Sequence, residues 1–272
     1  MAALRRRVPL AALVAGLCGL ALPAPTAAAR PATSATIAGT SATDTPADWP
    51  AVVAEAMNYA QRRTSVPPEA PRALPRAGPV PSSAQVSARP SEYSVALYGC
   101  RSALPVNHPG IGVGTCGTMA DYYGYFQGNA YDDPGAALGT LRLPAPACPD
   151  RSSVPLAAGV IATLYSGPSP EGNCEAVWHV GHWAFALIGD LNGGTHGDAT
   201  VPWRRVASEL VSYLRGRSLP GAHGYVESDI AGDGLHTGVY WQRGRDVYVA
   251  STYHGALAAV ALAIAMAPYP RS

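Results

Sequence analysis

Residues 238–266, GVYWQRGRDVYVASTYHGALAAVALAIAM, decide the fold. Residues 238–242 and 246–252 are rich in β-branched and aromatic side chains and are separated by the turn residues Arg243, Gly244 and Arg245, the pattern of a β-hairpin. From Ala256 to Met266 the residues are apolar nearly all round, which predicts a buried helix stopped by Pro268. Two strands followed by a helix that needs covering imply sheet and helix in one core.

Working upstream, residues 224–227 read as another strand, and residues 204–214 place Val206, Leu210, Val211 and Leu214 at helical spacing. Residues 93–98 alternate like a strand, 99–114 form a Gly/Pro loop, 119–126 suggest a short aromatic helix, and 160–165 and 176–188 read as strands. A strand-loop-helix order occurs twice, at 183–214 and at 247–266, a faint internal repeat. The predicted class is α+β: a mostly antiparallel sheet with helices packed on one face. The expected single globular domain is 91–272.

The N-terminal third reads differently. Arg5, Arg6 and Arg7, an apolar run over 8–22, and the small residues Ala27, Ala28 and Ala29 have the order of a cleavable secretory signal, so 1–29 is expected to be removed. The apolar run is too short for a good membrane span, and no transmembrane segment is expected in the mature chain. Leu17 before Cys18 argues against a lipid anchor. Residues 30–90, rich in Ala and Pro, predict a disordered linker, with a possible short helix at 48–63 where Val53, Met57 and Ala60 share a face. Seven prolines in 65–90 reinforce the linker reading.

A formal net charge of +1 gives no field that would gather nucleic acid. The absence of lysine, with Ala, Gly, Pro and Arg in excess, is the bias of a high-GC bacterial genome. With Cys18 removed, Cys100, Cys116, Cys148 and Cys174 remain, an even count that in an exported chain means two disulfides. Of three connectivities we expect Cys100–Cys116 and Cys148–Cys174, each closing a Gly- and Pro-rich loop, at about 3 kcal/mol apiece from loop-closure entropy.

Two constellations bear on chemistry. The stretch from Gly189 to Val201, GDLNGGTHGDATV, follows a strand and carries Asp190, Asn192 and Asp198 at the first, third and ninth positions counted from Asp190. In this register it resembles the calcium loops of FG-GAP repeats, which implies oxygen ligands for Ca2+ from those three residues, with Gly194 where a third carboxylate belongs. A second stretch in the same register keeps Asp229, Asp233 and Gly234, and has Ala231 and Thr237 at the other ligand positions. The alternative is hairpin turns without metal.

The other constellation is Cys116 at the start of an expected helix, His182 opening a strand, and Asp198 after a loop. That order is similar to papain-like peptidases, which implies Cys116 as nucleophile, His182 as base and Asp198 as its orienting acid, acting on peptide or peptidoglycan bonds. A catalytic Cys116 would leave an odd thiol among the other three cysteines. Tyr122, Tyr123, Tyr125 and Phe126 are candidates to line a ligand groove. The favoured function is therefore an exported, non-catalytic binding module with an unknown ligand or cell-envelope partner, and the cysteine hydrolase is its alternative.

Overall fold

A computed structural model describes residues 49–271 apart from 114–115, 144, 169–173, 190, 192–202 and 231–235. Its centre is a sheet of ten strands in the order β2-β3-β4-β11-β10-β9-β8-β7-β6-β5. In chain order these are β2 (Ser83–Arg89), β3 (Glu92–Tyr98), β4 (Tyr122–Ala130), β5 (Asp150–Pro155), β6 (Ile161–Ser166), β7 (Cys174–Val180), β8 (Trp183–Gly189), β9 (Gly224–Asp229), β10 (Thr237–Arg243) and β11 (Asp246–Thr252). Every pairing is antiparallel except β8 with β9. A parallel neighbour requires a crossover, and the helix α3 (Trp203–Tyr213) lies in that connection.

The remaining elements are α1 (Ala51–Ala60), α2 (Pro134–Thr140), α4 (Ala256–Ile264), and the short strands β1 (Glu69–Pro71) and β12 (Met266–Pro268), which pair with each other. Alternation along the strands decides which side meets the helices. Val95 and Leu97 of β3, Phe126 of β4, Ala250 of β11, Val239 and Trp241 of β10, Val226 of β9 and Phe185 and Leu187 of β8 form one core cluster with Val53 and Met57 of α1, Leu210 of α3 and Val260 and Leu262 of α4. Strand β11, inside the sheet between β4 and β10, is buried along its whole length. Helix α2 stands apart: its buried Ala137 is outside the core cluster, it contacts β11, and the Pro134 carbonyl accepts a bond from Gln242 Nε2 at 2.7 Å. Gln242 alternates with Trp241, so α2 sits over the other face of the sheet.

Residues 64–90 are not a free linker, and the folded unit does not begin at Ser91. Within that segment β2 pairs with β3 over seven residue pairs, and β1 pairs with β12. Prolines cannot donate, so the fold satisfies this stretch through its carbonyls. Tyr248 donates to the Pro67 carbonyl at 2.9 Å, Tyr123 to Pro75 at 2.9 Å, and Tyr93 to Glu69 at 2.8 Å. The helix expected within 48–63 is present as α1, with Val53, Ala56, Met57 and Ala60 buried.

The aromatic run at 119–126 is strand rather than helix. Tyr122 opens β4, whose side chains alternate between core and opposite face, and a register shift occurs beside Leu97 and Tyr98. Residues 176–188 are two strands joined at Gly181, whose φ of 60° suits a tight hairpin turn. Helix α2 carries its own start signals, since Asp133 caps it through Ala136 N and Pro134 fills its first turn. Both expected disulfides are present, Cys100–Cys116 with Cα atoms 4.9 Å apart and Cys148–Cys174 at 5.5 Å. Among the described residues no helix is long and apolar enough to cross a membrane.

Candidate functional site

Because the core takes one side of each strand, the other residues of β3, β4, β11, β10 and β9 share the opposite face. Its strand register places Tyr125 opposite Ser251, Ser251 opposite Gly238, and Gly238 opposite Glu227. The next row joins Gln127, Val249, Tyr240 and Tyr225. Gly238, with no side chain, leaves room for the Tyr240 ring, which lies where a Cβ on Gly238 would point.

Six tyrosines gather here. Tyr98 meets Tyr122 edge-on at 5.3 Å between ring centroids, Tyr122 meets Tyr253 at 5.7 Å, and Tyr253 meets His236 at 4.8 Å. Tyr225 and Tyr240 stack at 4.3 Å with an interplanar angle of 13°. Tyr125 acts electrostatically on Tyr122, Tyr225 and Tyr240, and so joins the two groups. Tyr98, Tyr122, Tyr125, Tyr225 and Tyr240 are half-buried and Tyr253 is exposed. Burial pushes the phenols of Tyr98, Tyr122, Tyr125, Tyr225 and Tyr240 up, so each keeps its O–H as a donor at neutral pH.

Polar groups sit within this belt. Ser251 Oγ and His236 Nε2 are 2.9 Å apart, and Asp229 lies next to His236, its backbone N–H donating to the His236 carbonyl at 2.8 Å. Burial holds the imidazole pKa down against the opposing pull of the Asp229 carboxylate, which keeps the ring neutral. Ser251 on β11, His236 just before β10 and Asp229 at the end of β9 are the residue types of a catalytic triad. Ser251, however, has no exposed surface, and a nucleophile must meet its substrate. The pair is a part-buried hydrogen bond that fixes the His236 ring beside Tyr253.

Beyond His236 the face turns acidic. Burial raises the carboxyl of Glu227, helped by Asp229, and burial raises Glu175, helped by Glu227. Further along, a cavity of about 310 Å³ is lined by Arg142, Tyr165, Val177, His179 and Ala184.

The residues singled out from sequence are placed as follows. Cys116 is bonded to Cys100, so it offers no thiolate, and the cysteine-nucleophile reading is withdrawn. His182 lies in the exposed β7–β8 turn, with its ring 5.1 Å from His223, and β11, β10 and β9 separate its hairpin from β4, which follows Cys116. Asp190, Asn192, Asp198 and Asp233 lie outside the described residues. Asp229 ends β9 and Thr237 opens β10, where its hydroxyl pairs with Ser228 Oγ at 2.8 Å on the core side. Among the described residues no three His, Cys, Asp or Glu side chains are grouped to hold a metal. Of the aromatic candidates, Tyr122 and Tyr125 belong to the open face and Tyr123 and Phe126 to the core. Tyr225, Tyr240, Tyr253, Ser251, His236, Glu175 and Glu227 were not anticipated, because they come from separate strands and form no linear motif.

No protein-family model matches the chain, and no curated protein or solved structure matches it.

Proposed function

We propose that this protein is an exported, non-catalytic binding module whose ligand site is the open face of the ten-stranded sheet. The observation that carries the reading is the belt of six tyrosines, Tyr98, Tyr122, Tyr125, Tyr225, Tyr240 and Tyr253, on the side away from the core. Tyrosine supplies a large flat contact at low entropic cost together with a hydroxyl for hydrogen bonding, which is why binding surfaces concentrate it. A sheet pinned by two disulfides holds such a belt rigid, so little ordering entropy is lost on binding. The disulfides are compatible with an oxidising, extracytoplasmic setting.

A fragment screen by NMR tests the reading. Bound fragments should shift the resonances of Tyr122, Tyr125, Tyr225, Tyr240 and Tyr253 in preference to those of the helix-covered face. Hits scattered over the surface, or gathered on the helices, would remove the assignment.

A further inference from the structure

At the β7–β9 end of the open face, the side chains of Glu175 and Glu227 approach each other over strand β8. Ala186 of β8 is opposite Glu227 on one side and Val177 on the other, and Glu175 is the next residue of β7 on the same face. Ala186, beside Glu227, presents only a methyl group there, while Ile188, the β8 residue opposite Glu175, walls the far side of the gap.

Glu175 is only 7% exposed, yet among the described residues its carboxylate makes no hydrogen bond and no ion pair. The one charge that acts on it is the carboxylate of Glu227, and no arginine acts on either group. Burying a carboxylate without a partner is costly, and a like charge beside it raises the cost. Such a pair is complete only when a cation enters. A bare metal ion would want more oxygens than the two carboxylates supply, and the described acids form no metal-sized group. The stacked faces of Tyr225 and Tyr240 begin beside Glu227 and suit an organic cation.

We infer that this face takes an extended peptide segment bearing a lysine or arginine, its cation seated over Ala186 between Glu175 and Glu227 and its body laid along the tyrosines. The inference rests on the binding reading above. From Glu175 on β7 to Tyr98 on β3 there are six inter-strand steps, about 29 Å at the usual strand spacing, a length that fits a segment of chain and exceeds a small amine.

The test uses fluorescence anisotropy on the whole protein with a labelled ten-residue peptide of glycine and serine carrying two lysines. The same peptide with acetylated lysines, and spermidine as competitor, are the comparisons. The lysine peptide should bind, acetylation should weaken it about tenfold or more, and Glu227→Gln or Glu175→Gln should weaken it by a similar factor at a melting temperature no lower than that of the native protein. Because the chain contains no lysine, carbodiimide coupling of the peptide amines should map to Glu175 or Glu227 without competition from internal side-chain amines. Equal binding of the acetylated peptide, wild-type affinity in both Gln variants, or spermidine matching the peptide's affinity would each overturn the inference. If fragments bind the tyrosines but the lysine peptide does not, the inference falls and the reading of the face stands. If neither binds, both fall.

Discussion

Arg243 Nε lies 2.9 Å from Glu69 Oε1, joining β10 of the large sheet to a segment that reads in sequence as a linker. Glu69 is almost fully buried, and the desolvation outweighs the arginine, pushing its pKa up to about 7. The Trp241 indole lies beside the same carboxylate and favours its charged form, although it falls short of a full hydrogen bond.

Stability should therefore depend on pH. The folded chain holds a proton on Glu69 between its ordinary value of 4.5 and about 7, whereas the unfolded chain releases it. The stability from this group is complete below 4.5 and is lost as pH rises through about 7. Burial raises Asp246 as well, with the same sign. The melting temperature should fall between pH 5 and pH 8, and Glu69→Gln should reduce that fall. A melting temperature that rises over this interval contradicts the assignment.

Gly128 lies opposite Tyr93 on β3 and Tyr248 on β11, and a Cβ there would come within 2.6 Å of the Tyr93 ring and 3.1 Å of the Tyr248 ring. Those rings donate to the Glu69 and Pro67 carbonyls, so they cannot retreat freely. Gly128→Ala should cost about 1–3 kcal/mol in denaturant unfolding. An unchanged midpoint would show that the two tyrosines are not fixed by their carbonyl partners.

Replacing Cys148 and Cys174 together by serine removes the bond that ties the loop before β5 to the start of β7. The loss should be about 2–5 kcal/mol, seen as a lower midpoint in urea, and reductant should lower the midpoint of the native protein in the same direction. Insensitivity to reductant would mean that neither bridge constrains the fold.

Ser251→Ala should lower stability by about 1 kcal/mol through loss of the bond to His236. A fluorophosphonate probe should leave Ser251 unlabelled, because the side chain is wholly buried. Labelling at Ser251 would reopen a nucleophilic role for it.

The sequence was most informative where periodicity was undisturbed. Residues 246–252 are strand β11, and helices α1, α3 and α4 fall on the apolar spacings that predicted them. Residues 83–89 also alternate, with Ala84, Val86 and Ala88 apolar, but flanking prolines obscure the signal. Prolines mark loops when carbonyls go to water, and here tyrosines from distant strands take that place. The aromatic run at 119–126 was ambiguous because aromatics suit both a buried helix and a strand, and only its pairing with β3 and β11 resolves it. The candidate site was illegible for a different reason. Its members are single alternate residues on separate strands, and they meet only through the strand register.

Strand β4 pairs with β11 through partners such as Gln127 and Val249, 122 residues apart in the chain. Within the sheet, strands β2 to β4 join β5 to β10 only through β11. The two groups of strands therefore cannot join into one sheet until residues 246–252 are available, and such non-local pairing is slow. A polypeptide emerging from its N-terminus would carry two separate groups of strands until residues 246–252 followed, with their union timed by topology itself.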